Sequence, residues 1–586
     1  MIKILKYLKW YEWVMVCVVL ALTGVGVWFD LTVPEYMTQI FGLFEDSSNM
    51  PTSADIWDKC WRMLLIVGGS ILCAVLSIIF ATRVAAGLSR TVRGKLFKKV
   101  NGFSLEEMNR FSTPSLIVRS TNDVTQVQTV LVMVLRMAVY APILVVIAAT
   151  KIIGKSLELS SAIWIGVAVL IILLGVMAML ILPRFSKIQK LNDKLSMVSR
   201  ENLTGIRVIR ASNAEKIQQQ KFENVNTSLT NMNLFVARIS AVLMPIVMLI
   251  FGVLTVVIYW LGAKLIGSGA TDYATVVLFA TYGIQIIMSF LIIAMLFIMI
   301  PRGQVSANRI REVLNTKNQI MEGNLDEAGV AANNTQNLKG HVEFKNVSFK
   351  YPDADEYILN DISFEASAGQ TVAFIGSTGS GKSTLINLIP RFFDVTDGEI
   401  LIDSVNVKDY KFETLNNKLG FVPQKGVLFS GSIRENIQYG KPDASDEEID
   451  KALEIAQSLF VKEMEGGLDY QISQSGKNVS GGQRQRLSIA RAVVKDPEIY
   501  IFDDSFSALD YKTDKALRAN LKEHCTSATK FIVAQRVGSI MDADQILVLE
   551  KGSVVGRGTH KELLKSCEIY KEIAFSQLSK EELKNE

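Results

Sequence analysis

TVAFIGSTGSGKSTLINLIPRFF, residues 371–393, reads as an apolar strand, a glycine-rich loop and the opening of a helix. That order is the context in which a phosphate-binding loop is credible. Gly376, Gly379 and Gly381 let backbone amides curl toward phosphate oxygens, and Ser377, Thr378, Ser380 and Thr384 fill the turn between and beyond them. Lys382 brings positive charge and Ser383 a hydroxyl suited to magnesium. A glycine-rich turn without a ligand is the plain alternative, and it does not account for the whole string in this setting. The expectation is a site for ATP and Mg2+.

Working outward, KLGFVP, EIYIFD, KFIVA and QILVLE repeat the short Val/Ile/Phe-rich pattern between helical stretches. Such alternation predicts an α/β domain on a mostly parallel sheet. Within it, IYIFDDSFSALD (499–510) places Asp504 where an ATP-hydrolysing site usually carries the longer glutamate, and FIVAQR places Gln535 where such sites carry a histidine. Nucleotide binding therefore reads as sound and hydrolysis as weakened.

The first half is of another kind. A mean hydropathy of +0.27 with 20% charged residues is too apolar for an ordinary soluble enzyme. Runs near the roughly 17 to 25 residues that cross a bilayer fall at Trp13–Val33, Met63–Thr82, Met137–Ile153, Ala162–Leu182, Ala241–Ile266 and Val276–Ile300. Six spans predict a membrane α-helical domain with both ends on one side. Lys3, Lys6 and Lys9 and the Arg/Lys-rich segments 83–136 and 183–240 mark the cytosolic face, whereas the first loop carries Glu45, Asp46, Asp55 and Asp58. A multi-pass protein of the cell membrane follows, with cytosolic termini.

The first apolar run ends in no small-residue cleavage site and reads as a retained anchor. Cys17, Cys60, Cys73, Cys525 and Cys567 lack metal-like spacing. The net charge of +4 is spread along the membrane flanks without interleaved aromatics, which argues against a nucleic-acid partner. After Pro301, RGQVSANRIREVLN predicts an amphipathic helix. The expected organisation is a transmembrane domain over 1–320, a linker over 321–340 and a nucleotide-binding domain over 341–586.

The string NVSGGQRQRLSIARA, with the phosphate loop and six spans before it, resembles the ATP-binding cassette (ABC) exporters, and the likeness runs from the first span to GTHKELL. The resemblance implies that Ser480, Gly481, Gly482 and Gln483, at a helix start, reach the γ-phosphate held by a partner subunit. It implies that Tyr351 stacks on adenine, that Asp503 and Gln424 attend magnesium with Ser383, and that Ser507–Asp510 speaks across the dimer. Segments 103–128 and 201–211 are similar to the family's two coupling segments. Gln474 stands where many relatives have an acidic residue.

Asp504 and Gln535 depart from the family pattern. Asp504 is one methylene short of glutamate, and a glutamine cannot titrate as histidine does. A homodimer would inherit both departures in both composite sites. The resemblance therefore implies a heterodimer whose second half-transporter supplies the competent residues, this chain giving it an intact signature. The implied activity is ATP-driven export of hydrophobic or amphipathic compounds such as drugs or lipids. A dedicated lipid, peptide or porphyrin exporter, and an ATP-gated channel, stay open. The last span carries no charge, with Tyr282, Gln285 and Ser289 set among Met, Phe and Ile, and Asp30, Glu35 and Arg136 are expected at the lipid interface.

Overall fold

The computed structural model describes residues 2–45, 52–334, 338–352 and 354–577. They divide into two compact units, residues 1–101 with 113–316, and residues 102–112 with 317–586.

The first unit holds six helices long and apolar enough to cross a membrane. They are Trp10–Glu45, Ser53–Asn101, Asn122–Ile152, Leu157–Ala211, Glu215–Gly267 and Tyr273–Asn315, the third preceded by the short helix Thr113–Ser120. Each contains one of the expected apolar runs, save that the third stops one residue short of Ile153. Leu157–Ala211 has 55 residues, about 80 Å of helix at 1.5 Å per residue, whereas a bilayer core takes only about 30 Å. The surplus carries Lys187, Lys190, Lys194 and Arg200, which no hydrocarbon would accept. Val27, Leu31, Leu144, Ile163, Ile258, Phe279 and Tyr282 form part of a buried core between the helices. Leu64, Leu65, Ile71, Ile171, Ile172 and Leu249 are exposed, as lipid-facing side chains are.

The last span and the amphipathic helix expected after Pro301 are one element: a single helix runs from Tyr273 to Asn315 with the proline inside it. An interior proline costs about 3 kcal/mol. Ala307, Ile310 and Val313, fully buried at helical spacing, continue the packed face beyond it. Packing on both sides outweighs the one missing N–H.

In the second unit, the six-stranded sheet runs Ser553–Gly558, Gln545–Glu550, Thr371–Gly376, Thr529–Val533, Ile499–Asp503, Leu419–Val422. The last five strands are parallel and the first is an antiparallel edge. Buried on both faces, the central strands need the near-continuous apolar runs that made them legible. A second, antiparallel sheet of Leu359–Ala366, Val342–Phe349, Asp397–Ile402 and Val405–Asn406 went unpredicted. Helix Lys382–Asn387 leaves the phosphate loop and is shorter than TLINLIPRFF predicts, stopping three residues before Pro390.

Residues 317–334 are not a bare connector. Asp326 caps a short helix, Glu327–Asn333, by accepting the Gly329 N–H at 3.0 Å, and Leu325 bridges to Tyr410. The segment 102–112 belongs to this same unit. Ser104 and Glu107 form a capping box on helix Leu105–Phe111. Glu107 also accepts the backbone N–H of Gln319 at 2.8 Å, and Phe103 stacks on Phe111.

Candidate functional site

The phosphate loop turns between the central strand and a helix, where backbone amides converge. Gly376, Gly379 and Gly381 have φ of 157°, 81° and 95°, values that favour glycine. At Gly376 a Cβ would sit 2.1 Å from the Leu549 carbonyl oxygen, while at Gly379 it would meet nothing within 4 Å. The first glycine is thus required by its neighbours and the second by its backbone angle. Lys382 curls over the loop and donates to the carbonyls of Gly376 at 2.9 Å and Ser377 at 2.7 Å. Burial pushes its pKa down, partly offset by the carboxylates of Asp504 and Asp503.

Strand Ile499–Asp503 delivers two carboxylates to this loop. Ser383 Oγ donates to Asp503 Oδ1 at 2.7 Å. Burial raises the Asp503 pKa, against the Ser383 hydrogen bond. Asp504 stands at φ 46°, sparsely populated for a non-glycine residue, its N–H bonded to Val533 O at 3.0 Å. Its Oδ2 accepts two amide hydrogen bonds, from Gln424 Nε2 at 3.0 Å and Gln535 Nε2 at 2.8 Å. Three of the sequence-predicted residues therefore meet on one oxygen.

A cavity of about 790 Å³ opens over them, lined by Gly376–Thr384, Gln424, Asp504 and Gln535. That volume lies within the range of about 300 to 1,000 Å³ usual for small-molecule sites. The donor set suits a nucleotide triphosphate: converging amides and an ammonium for phosphates, with Ser383 and Asp503 oxygens adjacent as a hard divalent cation requires. Tyr351 lies outside the lining. Its ring packs edge-on against Phe349 and Phe393, and its hydroxyl pairs with Thr384 Oγ1 at 3.1 Å.

The SGGQ residues are not brought into this cavity. Ser480 caps the helix Gly481–Val493, and Gln483 Oε1 returns a bond to the Ser480 N–H at 2.9 Å. Ser480 and Gly481 are exposed, so amides of this 13-residue helix face outward.

Sequence reasoning missed one wall. Ile569, Glu572, Ile573, Ser576 and Gln577 of helix Glu568–Gln577 also line the cavity. Gln577 donates to the Gln535 carbonyl and accepts from the Val537 N–H, both at 2.8 Å. Only the spacing of Ile569 and Ile573, one turn apart, hinted at an inward face.

Six membrane-crossing helices joined to a phosphate-loop domain define an ATP-powered transporter with membrane and motor parts on one chain. Residues 15–290 match the family described as ABC transporter transmembrane region and residues 359–507 the family described as ABC transporter. The chain belongs to the ABC transporter family. It is 35% identical to the uncharacterized ABC transporter ATP-binding protein YfiB of Bacillus subtilis, covering 99% of each chain. It is 31% identical to the ATP-dependent lipid A-core flippase of Pseudomonas aeruginosa, covering 86% of this chain and 82% of that one. To the probable multidrug resistance ABC transporter YheI of B. subtilis it is 32% identical, over 83% and 82%. A bacterial Atm1-family ABC exporter with ATP bound shares the fold, with a TM-score of 0.77 over 97% of this chain and 98% of that one at 23% identity. The chain is an ABC exporter half-transporter that binds ATP.

Proposed function

We propose that this chain is one half of a heterodimeric exporter of hydrophobic or amphipathic compounds, and that its own phosphate loop forms the degenerate ATP site. The observation that carries the reading is Asp504. It is one methylene short of glutamate, and Gln424 and Gln535 both hold its Oδ2. A carboxylate so engaged orients water poorly, and misplacement by about 1 Å costs on the order of a hundredfold. Similarity to a lipid A-core flippase and to a probable multidrug resistance transporter supports lipids and drugs as the cargo classes.

In this reading Lys382 and the loop amides bind the phosphates, Ser383, Gln424 and Asp503 hold magnesium, and Tyr351 flanks the adenine. Bound magnesium neutralises phosphate charge. Ser480, Gly481, Gly482 and Gln483 cover the partner's nucleotide, where turnover occurs. Segments 103–128 and 201–211 pass closure to the spans, which alternate between inward and outward openings. Both termini and the cassette lie in the cytosol of a cell-membrane protein. The domains are taken as 1–320, 321–340 and 341–586, with residues 102–112 and 317–320 grouped with the nucleotide-binding unit in the fold.

The test is the ATPase rate of the purified chain alone and with a candidate second half-transporter. Activity only with the partner, abolished by removing the partner's catalytic glutamate, supports the reading. A full rate from the lone chain overturns it.

A further inference from the structure

The interface placement expected for Asp30 and Arg136 is not what the bundle holds. Both line a cavity of about 230 Å³ inside the membrane domain, together with Thr23, Ser70, Ser77 and Tyr140. Asp30 is fixed from two other helices: Ser70 Oγ donates to its Oδ1, and Tyr140 OH to its Oδ2 at 3.0 Å. Thr23 and Ser77 pair at 3.2 Å in the same wall. Arg136, one turn before Tyr140, makes no hydrogen bond or ion pair with any described residue. Glu35, by contrast, is paired with Lys151 at 2.6 Å.

An ionised side chain within a spanning bundle is costly unless it meets a partner. Here the carboxylate is oriented by hydroxyls and the guanidinium is left open to the cavity. The volume is below that of a site for a whole drug-sized molecule, so it takes a polar group while an apolar remainder lies elsewhere. We propose that this cavity binds a zwitterionic head group, its anionic end against Arg136 and its ammonium against Asp30. The guanidinium fork suits an anion such as a phosphate or carboxylate, and the pre-oriented aspartate suits an ammonium. This assignment rests on the export reading for its cargo role, and the binding claim is tested apart from it.

The experiment uses the full chain in nanodiscs of phosphatidylglycerol, so that the host lipid brings no ammonium. Three probes share one fluorescent acyl tail: a lyso-phosphatidylethanolamine, a lyso-phosphatidylglycerol and an alkylammonium. The zwitterion is expected to bind tighter than either by at least about tenfold, the size of one charge-assisted bond. Arg136→Gln removes its advantage over the alkylammonium, and Asp30→Asn its advantage over the anion. Arg136→Lys keeps the charge but loses the fork, so it retains only part of the advantage that Arg136→Gln removes. Should Arg136→Gln fail to fold, Asp30→Asn and Tyr140→Phe carry the test, the latter with a smaller loss. Equal affinity for all three probes, or equal weakening of all three by either variant, overturns the assignment and leaves Arg136 to a carboxylate of a second subunit. ATP-driven movement of the probes in proteoliposomes is read separately. Selective binding without movement keeps the site and sinks the export reading, whereas movement without selectivity does the reverse.

Discussion

Gln535 Nε2 lies 2.8 Å from Asp504 Oδ2, the oxygen that Gln424 also holds. Two neutral amides thus hold one carboxylate oxygen at the position to which the proposed function assigns the polarising carboxylate. Asp504→Glu extends the carboxylate past this clasp, and Gln535→His restores a titratable neighbour. The double variant is expected to raise the hydrolysis rate of the purified chain by about a hundredfold over the unaltered chain. Phosphate release measures it, and no gain shows that the clasp is not what limits this site.

Lys382 donates to two loop carbonyls at 2.9 and 2.7 Å and holds the loop closed around the space for phosphates. Lys382→Ala removes a charged donor worth about 1.5 to 3 kcal/mol. Affinity for a fluorescent ATP analogue is expected to fall about 10- to 100-fold. Circular dichroism should stay unchanged, because the helix that follows is packed by buried Leu385 and Ile386.

Glu107 ties helix Leu105–Phe111 to the backbone of Gln319. Burial opposes its charge, but hydrogen bonds from Ser104 and from the Gln319 N–H prevail and hold its pKa below the ordinary glutamate value. The depressed pKa means the ionised form is favoured on folding. The tie is therefore present above the unfolded pKa and lost as pH falls through the folded one. Glu107→Ala removes a cap worth about 1 kcal/mol and is expected to speed hydrogen exchange at Gln319 at neutral pH, with no further effect in acid.

Lys418 bonds fully buried Asp403 at 2.7 Å and half-buried Glu498 at 2.5 Å. Burial disfavours its charge, yet the two carboxylates outweigh that and raise its pKa. That contribution is complete below the unfolded lysine pKa and lost as pH climbs through the folded value. Lys418→Ala strands a buried carboxylate, at a cost of about 3 to 5 kcal/mol. A lowered Tm near neutral pH, with the gap from wild type closing at strongly alkaline pH, is the expected calorimetric result.

The cassette was legible where burial is two-sided. TVAFIG, EIYIFD and QILVLE each hold an unbroken apolar run of four, Val372–Ile375, Ile499–Phe502 and Ile546–Leu549, buried on both faces, so they announced themselves. Val342–Phe349 alternates buried Val342 and Phe344 with partly exposed Glu343 and Lys345, which blurs into loop when read alone. Asp504 and Gln535 were found because flanking motifs fix their positions. Gln577 was not, because its role depends on where the last helix folds back. The interface reading of Asp30 failed for the same reason: its partners Ser70 and Tyr140 lie 40 and 110 residues away.

Gln577 holds the backbone on either side of Arg536 through Gln535 and Val537. A pull on that helix is therefore a pull on the loop that lines the nucleotide cavity. An affinity tag or fluorescent protein at that end is a handle on the motor, and kinetic work on this transporter belongs on chains tagged at the opposite end.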